Sequence, residues 1–273
     1  MLEKVDLTQK LSKKVYKDRR RALDERLCCL QQACQKAGIP AIVVIEGWDA
    51  SGKGDVVNRL SRPLDPAGFK FHTIQAPSAH EALMPWLWRF WIKIPRYGDI
   101  AVFDGSWYRR VLTGRVEGLI PPEKWRKAYR DIINFERTLA NDGYVIVKFF
   151  LHISKKKQRK RFKKLEKHPL KSWRVQPEDW ERHQKYSKYY QAVEDMLERT
   201  HTEWGPWNVV GANNRRWARV TVLETLARRL EVPLEKAGFF PFEKSGVEPC
   251  LEDEDITHVA RYETRTQAEL SLA

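Results

Sequence analysis

The sequence predicts an α/β protein of three layers, α/β/α, built on a mainly parallel sheet. Three observations predict it. Short apolar runs rich in β-branched residues alternate with longer segments of helical character along the chain. The first run, residues 41–46 (AIVVIE), is nearly all apolar, which suits a strand buried on both faces of a parallel sheet. A glycine-rich turn follows that run directly and opens a helix.

Residues 7–37 read as a charged N-terminal helix, stopped by Gly38 and Pro40. After the 41–46 strand and its turn, a helix is expected over 53–60 and a second strand over 69–75. Leu83, Trp86, Leu87, Phe90, Trp91 and Ile94 recur at spacings of three and four, the apolar stripe of one packed helix. Such periodicity marks a core face and not a base-stacking platform. A third strand over 100–103 ends in Asp104. Residues 122–140 form a helix with proline near its start. Residues 144–151 (YVIVKFFL) form a fourth strand. A basic helix runs to about 167, another over 177–199, a short strand over 207–210 and a long helix over 213–230. No repeat or Gly/Ser linker divides the chain, so residues 1–242 are expected to be one domain. Residues 243–273 form an acidic tail carrying Glu252, Asp253, Glu254 and Asp255.

Composition narrows the function classes. The 273 residues include eleven Trp, nine Tyr and eleven Phe, which excludes a disordered chain. No apolar run approaches the length of a transmembrane helix, and the charged N-terminus lacks a signal-peptide core, so no membrane association is expected. Cys28, Cys29 and Cys34 share one expected helix and Cys250 stands alone. That is neither a disulfide framework nor a zinc pattern, and a reducing, cytoplasmic setting is implied. The formal charge of +14 calls for an anionic partner.

The chemistry concentrates in three places. Gly47-Trp48-Asp49-Ala50-Ser51-Gly52-Lys53-Gly54 fits the phosphate loop G-x-x-x-x-G-K, between an apolar strand and a helix. Backbone N–H groups and a helix N-terminus there point at an anion, and Lys53 adds a charge that can follow a phosphoryl group. Gly54 replaces the usual hydroxyl residue that holds magnesium, so carboxylates must take over, Asp49 first. Val102-Phe103-Asp104 resembles a Walker B carboxylate, facing the loop from a neighbouring strand. Residues 155–164 hold eight Lys or Arg in ten positions, with Arg109, Arg110, Arg115, Arg174, Arg182, Arg215 and Arg216 elsewhere. Aromatic residues follow core periodicity and do not interleave with these charges, so a nucleic-acid partner is not expected.

The segments GWDASGKG (47–54), LWRFW (87–91), FDGSWYRRVL (103–112), RVEG (115–118), EDW (178–180) and PWNVV (206–210) resemble the polyphosphate kinase type 2 family. The RVEG stretch is similar to its AMP-phosphorylating branch, and the likeness spans about 16–230. The resemblance implies a P-loop kinase fold with a helical lid at about 154–179. It also implies inorganic polyphosphate as donor, AMP as the preferred acceptor with ADP or GDP as the alternative, Mg2+ as cofactor, and a homo-oligomer, dimer or tetramer. Carried over, Lys53 and the backbone of Gly47, Ala50, Ser51, Gly52 and Gly54 hold phosphates at the transfer point, and Asp49 and Asp104 bind the metal. Arg109 or Arg110, and Arg115, contact nucleotide or phosphate. Lys160, Arg161 and Lys171 close the lid over polyphosphate. The family usually has arginine after the Walker B aspartate, where this chain has Gly105. Two alternatives stand: Arg110 and its neighbour Arg109, about one helical turn on, supply the missing charge, or the chain is a catalytically weakened polyphosphate- or nucleotide-binding protein.

Overall fold

The structure is a computed structural model, and residues 1–239 are described. Five strands form the sheet: β1 Ala41–Gly47, β2 Phe69–Thr73, β3 Ile100–Asp104, β4 Val145–His152 and β5 Trp207–Gly211. They are parallel throughout, in the order β2-β3-β1-β4-β5. Every residue of β4 is buried, as are Ala41 to Glu46 of β1 and the first four residues of β3. That is why these runs read as continuously apolar and not as alternating. The charged exception at the centre is Lys148, whose partners are described below.

The helices are α1 Lys13–Ala37, α2 Lys53–Leu60, α3 Ala79–Ala82, α4 Trp88–Trp91, α5 Thr113–Val116, α6 Pro122–Asn141, α7 Lys155–Glu166, α8 Pro177–Gln184, α9 Tyr186–Thr200 and α10 Arg215–Lys236. α1, α2 and α10 pack as one group, joined by the Arg26–Glu231 ion pair between α1 and α10. α5, α6, α8 and α9 form a second group. In α6, Pro122 supplies the first turn, and Ala128, Ile132, Phe135 and Leu139 repeat on one buried face.

Four expectations need correction. The N-terminal helix begins at Lys13, not at 7, because the Ser12 side chain caps it by accepting from Val15 N. Upstream, the Asp6 carboxylate accepts from Thr8 and Gln9 and stabilises a turn instead. The 83–94 stripe is not one helix. Pro85 disfavours helical geometry at Met84: the short α3, capped by a Ser78–Glu81 box, ends at Ala82 before the stripe begins, and within the stripe only the short α4 is α-helical. Of its six apolar residues only Phe90 is fully buried, while Leu83 is 86% exposed. The 177–199 helix is interrupted at Lys185. The last helix starts at Arg215, where the Asn214 side chain caps it, and runs to Lys236 with Pro233 inside. The acidic tail, 243–273, lies outside the described residues. Among the described residues no helix is long and apolar enough to cross a membrane.

Candidate active site

β1 lies between β3 and β4, with the chain returning to it from both sides, so a crevice opens beyond its carboxyl end. The glycine-rich loop sits there. Gly47 closes β1 with φ 151°, and a Cβ on it would stand 2.7 Å from the Leu151 carbonyl oxygen, so this close approach to β4 requires glycine. The chain turns through Trp48 to Gly52 and enters α2 at Lys53. The Lys53 ammonium folds back over the loop and donates to Gly47 O at 2.9 Å.

The loop is also gripped from outside. Trp48 stacks on Tyr186 of α9, with ring centroids 4.1 Å apart and planes 12° off parallel. Its Nε1 donates to His152 Nδ1 at 2.8 Å. Gln158 donates to Asp49 O, and Arg161 donates to Ala50 O and Ser51 O. Both come from the inner face of α7.

A cavity of about 330 Å³ opens in front of the loop. Its charged walls are Glu46, Asp49 and Asp104 against Lys53, Arg109 and Arg182. Asp104 is the last residue of β3, level with Ile45 of β1. Glu46 is buried and accepts from Ser106 Oγ at 2.8 Å. Burial pushes its carboxyl above the usual range, although the Ser106 hydrogen bond and the charges of Lys53 and Arg109 oppose this. Arg182 of α8 donates through Nε to Asp49 Oδ2 at 2.8 Å and through Nη2 to Asp179. Burial alone would lower its pKa, but the two carboxylates outweigh that and raise it.

A second cavity of about 450 Å³ adjoins the first, sharing Ile74, Gln75, Arg109 and Thr113 with it. Its walls are largely apolar: Trp86, Phe90, Trp107, Leu119 and Ile120. The Arg110 guanidinium lies in this wall, 4.8 Å from the centroid of the Trp86 ring.

Of the residues singled out from the sequence, Gly47, Asp49, Lys53, Asp104 and Arg109 border the first cavity, and Ala50, Ser51, Gly52 and Gly54 form the loop and helix start behind it. Arg110 faces the second cavity, not the loop. Arg115 reaches neither. It donates to Asp195 at 2.6 Å and to Tyr129, with its guanidinium over Trp125, and so ties α5 to α6 and α9. Arg161 is 7% exposed and spends its guanidinium on backbone carbonyls, so it braces the loop and does not present a charge to solvent. Lys160 and Lys171 are exposed and line neither cavity. Sequence reasoning missed Glu46 and Arg182. Glu46 carried a signal, a charge at the end of an otherwise apolar strand. Arg182 carried only membership of a basic chain.

The chain matches the family model for polyphosphate kinase 2 over residues 10–237. It is 41% identical over 236 residues to a polyphosphate:AMP phosphotransferase of Pseudomonas aeruginosa, covering 86% of this chain and 48% of that one. It is 35% identical over 210 residues to an AMP/ADP-polyphosphate phosphotransferase of Meiothermus ruber, covering 77% and 79%. The crystal structure of polyphosphate kinase 2 from Arthrobacter aurescens superposes with a TM-score of 0.81 at 30% identity, covering 85% of this chain and 86% of that one. The chain spans about half the length of the Pseudomonas polyphosphate:AMP phosphotransferases it matches. A lysine-closed phosphate loop on a five-stranded parallel sheet, matched across nearly all of the described residues, places the chain in the polyphosphate kinase 2 family.

Proposed function

We propose that this chain is a phosphotransferase that moves the terminal phosphoryl group of inorganic polyphosphate to a nucleotide, with AMP preferred and ADP the product. The observation that carries the reading is the pair of joined cavities, one polar and closed by Lys53, the other apolar. The polyphosphate end belongs against the loop, and the nucleoside in the cavity walled by Trp86 and Phe90. The acceptor phosphates then fall where the two meet. An α-phosphate oxygen of AMP attacks the terminal phosphorus, the bond to the bridging oxygen breaks, and its electron pair stays on the shortened polyphosphate. No protein base is required, because the acceptor phosphate is already ionised at neutral pH. The protein contributes alignment and positive charge fixed in place before the reaction.

The residues present fit a hard divalent cation such as Mg2+. Gly54 offers no hydroxyl, but Asp49 and Asp104 border one cavity, and oxygen ligands suit this ion. Among the described residues no three acidic, histidine or cysteine side chains converge as a ready-made metal cage. A site of one or two carboxylates completed by phosphate oxygens and water is how Mg2+ is ordinarily held. Bound there, the ion supplies charge neutralisation at the transferred group. The exposed Lys and Arg of α7, Lys160 included, are suited to a polyphosphate chain running past the loop, with 154–179 as the lid.

The test is a coupled assay of polyphosphate with AMP, ADP, GMP or GDP and Mg2+, on wild type and Lys53→Ala. Turnover with AMP above the others, lost by about a hundredfold or more in a folded Lys53→Ala protein, supports the reading. Turnover unchanged by Lys53→Ala, or none with any nucleotide, refutes it.

A further inference from the structure

Gly105 follows Asp104 at the end of β3, with φ 72°, in the left-handed region. A Cβ built on it would stand 3.4 Å from Arg109 Cδ, 3.9 Å from Arg109 Nη1 and 3.6 Å from Ile74 O. A Cβ alone would sit there in ordinary van der Waals contact, but φ 72° disfavours any residue except glycine, and a side chain longer than alanine's would compete for this space with Arg109, four residues downstream. The turn that sends it there, Trp107–Arg110, is anchored at several points. Ser106 Oγ accepts from Tyr108 N and donates to Glu46, and both Trp107 Nε1 and Tyr108 Oη donate to the buried Glu136. From this fixed base Arg109 reaches back and donates through Nη1 to Ile74 O, at the end of β2. It borders both cavities, whereas Arg110, on the same turn, borders only the apolar one. Its charge is also felt at Glu46, inside the polar cavity.

We infer that Arg109 is the catalytic guanidinium of this chain, contacting the phosphoryl group in transit between the two cavities, and that position 105 is glycine because its left-handed backbone and the Arg109 side chain packed against it disfavour a longer side chain there. The pair acts as one unit: position 105 gives up its side chain, and position 109 delivers a charge to the place a residue-105 side chain would reach. On Ile74 O the guanidinium spends one N–H on a neutral carbonyl, which leaves others for phosphate oxygens. The inference rests on the phosphotransfer reading above.

A double-mutant cycle tests it, with kcat and the nucleotide KM read in the polyphosphate assay. Arg109→Ala is expected to lower kcat about a hundredfold or more, the range for removing one donor to developing charge, with the nucleotide KM changing less. Gly105→Leu, whose side chain extends past Cβ, is expected to lower kcat about tenfold by displacing Arg109, and to cost nothing further in the Arg109→Ala background. Millimolar guanidinium ion should restore part of the Arg109→Ala activity, which a merely structural arginine would not allow. Arg109→Lys, which keeps the charge, serves as the second variant if Arg109→Ala does not fold, and should fall between the two. An Arg109→Ala protein within threefold of wild type, or additive losses from the two substitutions, overturns the inference while leaving the phosphotransfer reading intact. A wild type inert with polyphosphate and every nucleotide overturns both.

Discussion

The guanidinium of Arg161 holds the carbonyl of Ala50 at 2.8 Å, and Ala50, with φ 57°, is the one non-glycine residue in the left-handed region among those described. The phosphate loop is thus kept in a costly backbone shape by a side chain three strands later in sequence. The same guanidinium also donates to Ser51 O at 2.7 Å, Ala212 O at 2.6 Å and Asn213 O at 3.2 Å. Burial pulls its pKa down to about 10, with Arg215 adding to the effect and Asp55 opposing it, so the charge stays on at neutral pH. Arg161→Met, similar in length but without donors, should lower stability by about 3 kcal/mol, since several carbonyls lose a charged donor at once. It should also impair both substrates alike. Lys160→Met, on the exposed face of the same helix, should leave stability within about 0.5 kcal/mol and change only the apparent polyphosphate KM, the more so at low salt. Denaturant melts and KM values for both substrates separate the two roles.

Asp49 and Asp104 differ in how free they are to meet a cation. Asp49 already shares Oδ2 with Arg182, so a metal there competes with α8. Asp104→Asn should therefore raise the Mg2+ concentration for half-maximal rate by about tenfold or more, through loss of a hard anionic ligand. Asp49→Asn should do so less, and should loosen α8 as well, seen as faster hydrogen exchange over Pro177–Gln184. Removing divalent cations with a chelator should stop turnover, and adding Mg2+ back should restore it. Undiminished activity after chelation would remove the metal from the reading.

The strands were the most legible part of this sequence, because a run buried on both faces leaves a one-dimensional trace. AIVVIE needed no partner to be read as interior. Helix 83–94 misled because the three- and four-residue spacing is indifferent to Pro85, which breaks the backbone that the spacing presumes. That Lys53, Asp49 and Asp104 come together at one cavity was legible because it follows from their positions along a loop and at a strand end. The arginines were not, because what an arginine does depends on which acceptor the fold puts beside it. Arg115 found Asp195, Arg161 found four carbonyls and Arg182 found Asp49, across separations of 51 to 133 residues. Nothing in a run of basic residues separates the one that braces a loop from those facing water.

Beneath the loop carrying Arg109, Lys148 and Glu136 form an ion pair with Nζ–Oε2 of 2.8 Å, both side chains fully buried. Burial pulls the Lys148 pKa down, and Glu136 works against this. The remaining capacity is filled: Lys148 donates to Tyr108 Oη and Thr200 O, and Glu136 accepts from Trp107 and Tyr108. Removing one partner strands the other charge in the core. Lys148→Met should cost about 3–5 kcal/mol, and the double variant Lys148→Met/Glu136→Leu should cost clearly less than the sum of its parts. Because Trp107 and Tyr108 anchor the turn that bears Arg109, kcat should fall in Glu136→Gln even where the protein stays folded. A strictly additive pair in denaturant melts would show that the network is not acting as a unit.

His152 gives the loop a pH dependence with a definite sign. Its Nδ1 accepts the Trp48 indole N–H, so the ring must be neutral and carry its proton on Nε2. The residue is 5% exposed, and burial lowers its pKa from 6.5 to about 4, with the Glu194 charge opposing. Below about 6.5 the unfolded chain takes a proton that the folded protein refuses until about pH 4. The unfolded state therefore binds more protons over that window, and stability falls as the solution is acidified through it. The interval corresponds to at most about 3 kcal/mol. Protonating Nδ1 also deletes the acceptor for Trp48, the residue that stacks on Tyr186 and begins the phosphate loop, so activity should fail alongside stability. His152→Gln keeps an acceptor for the indole but does not titrate. For unfolding free energies of wild type and His152→Gln at pH 7.5, 5.5 and 4.5, the difference should shift steadily against the wild type as pH falls. The other titrating groups, Glu46 among them, are common to both proteins and cancel in that difference. A difference independent of pH would mean that His152 is already free to protonate in the fold.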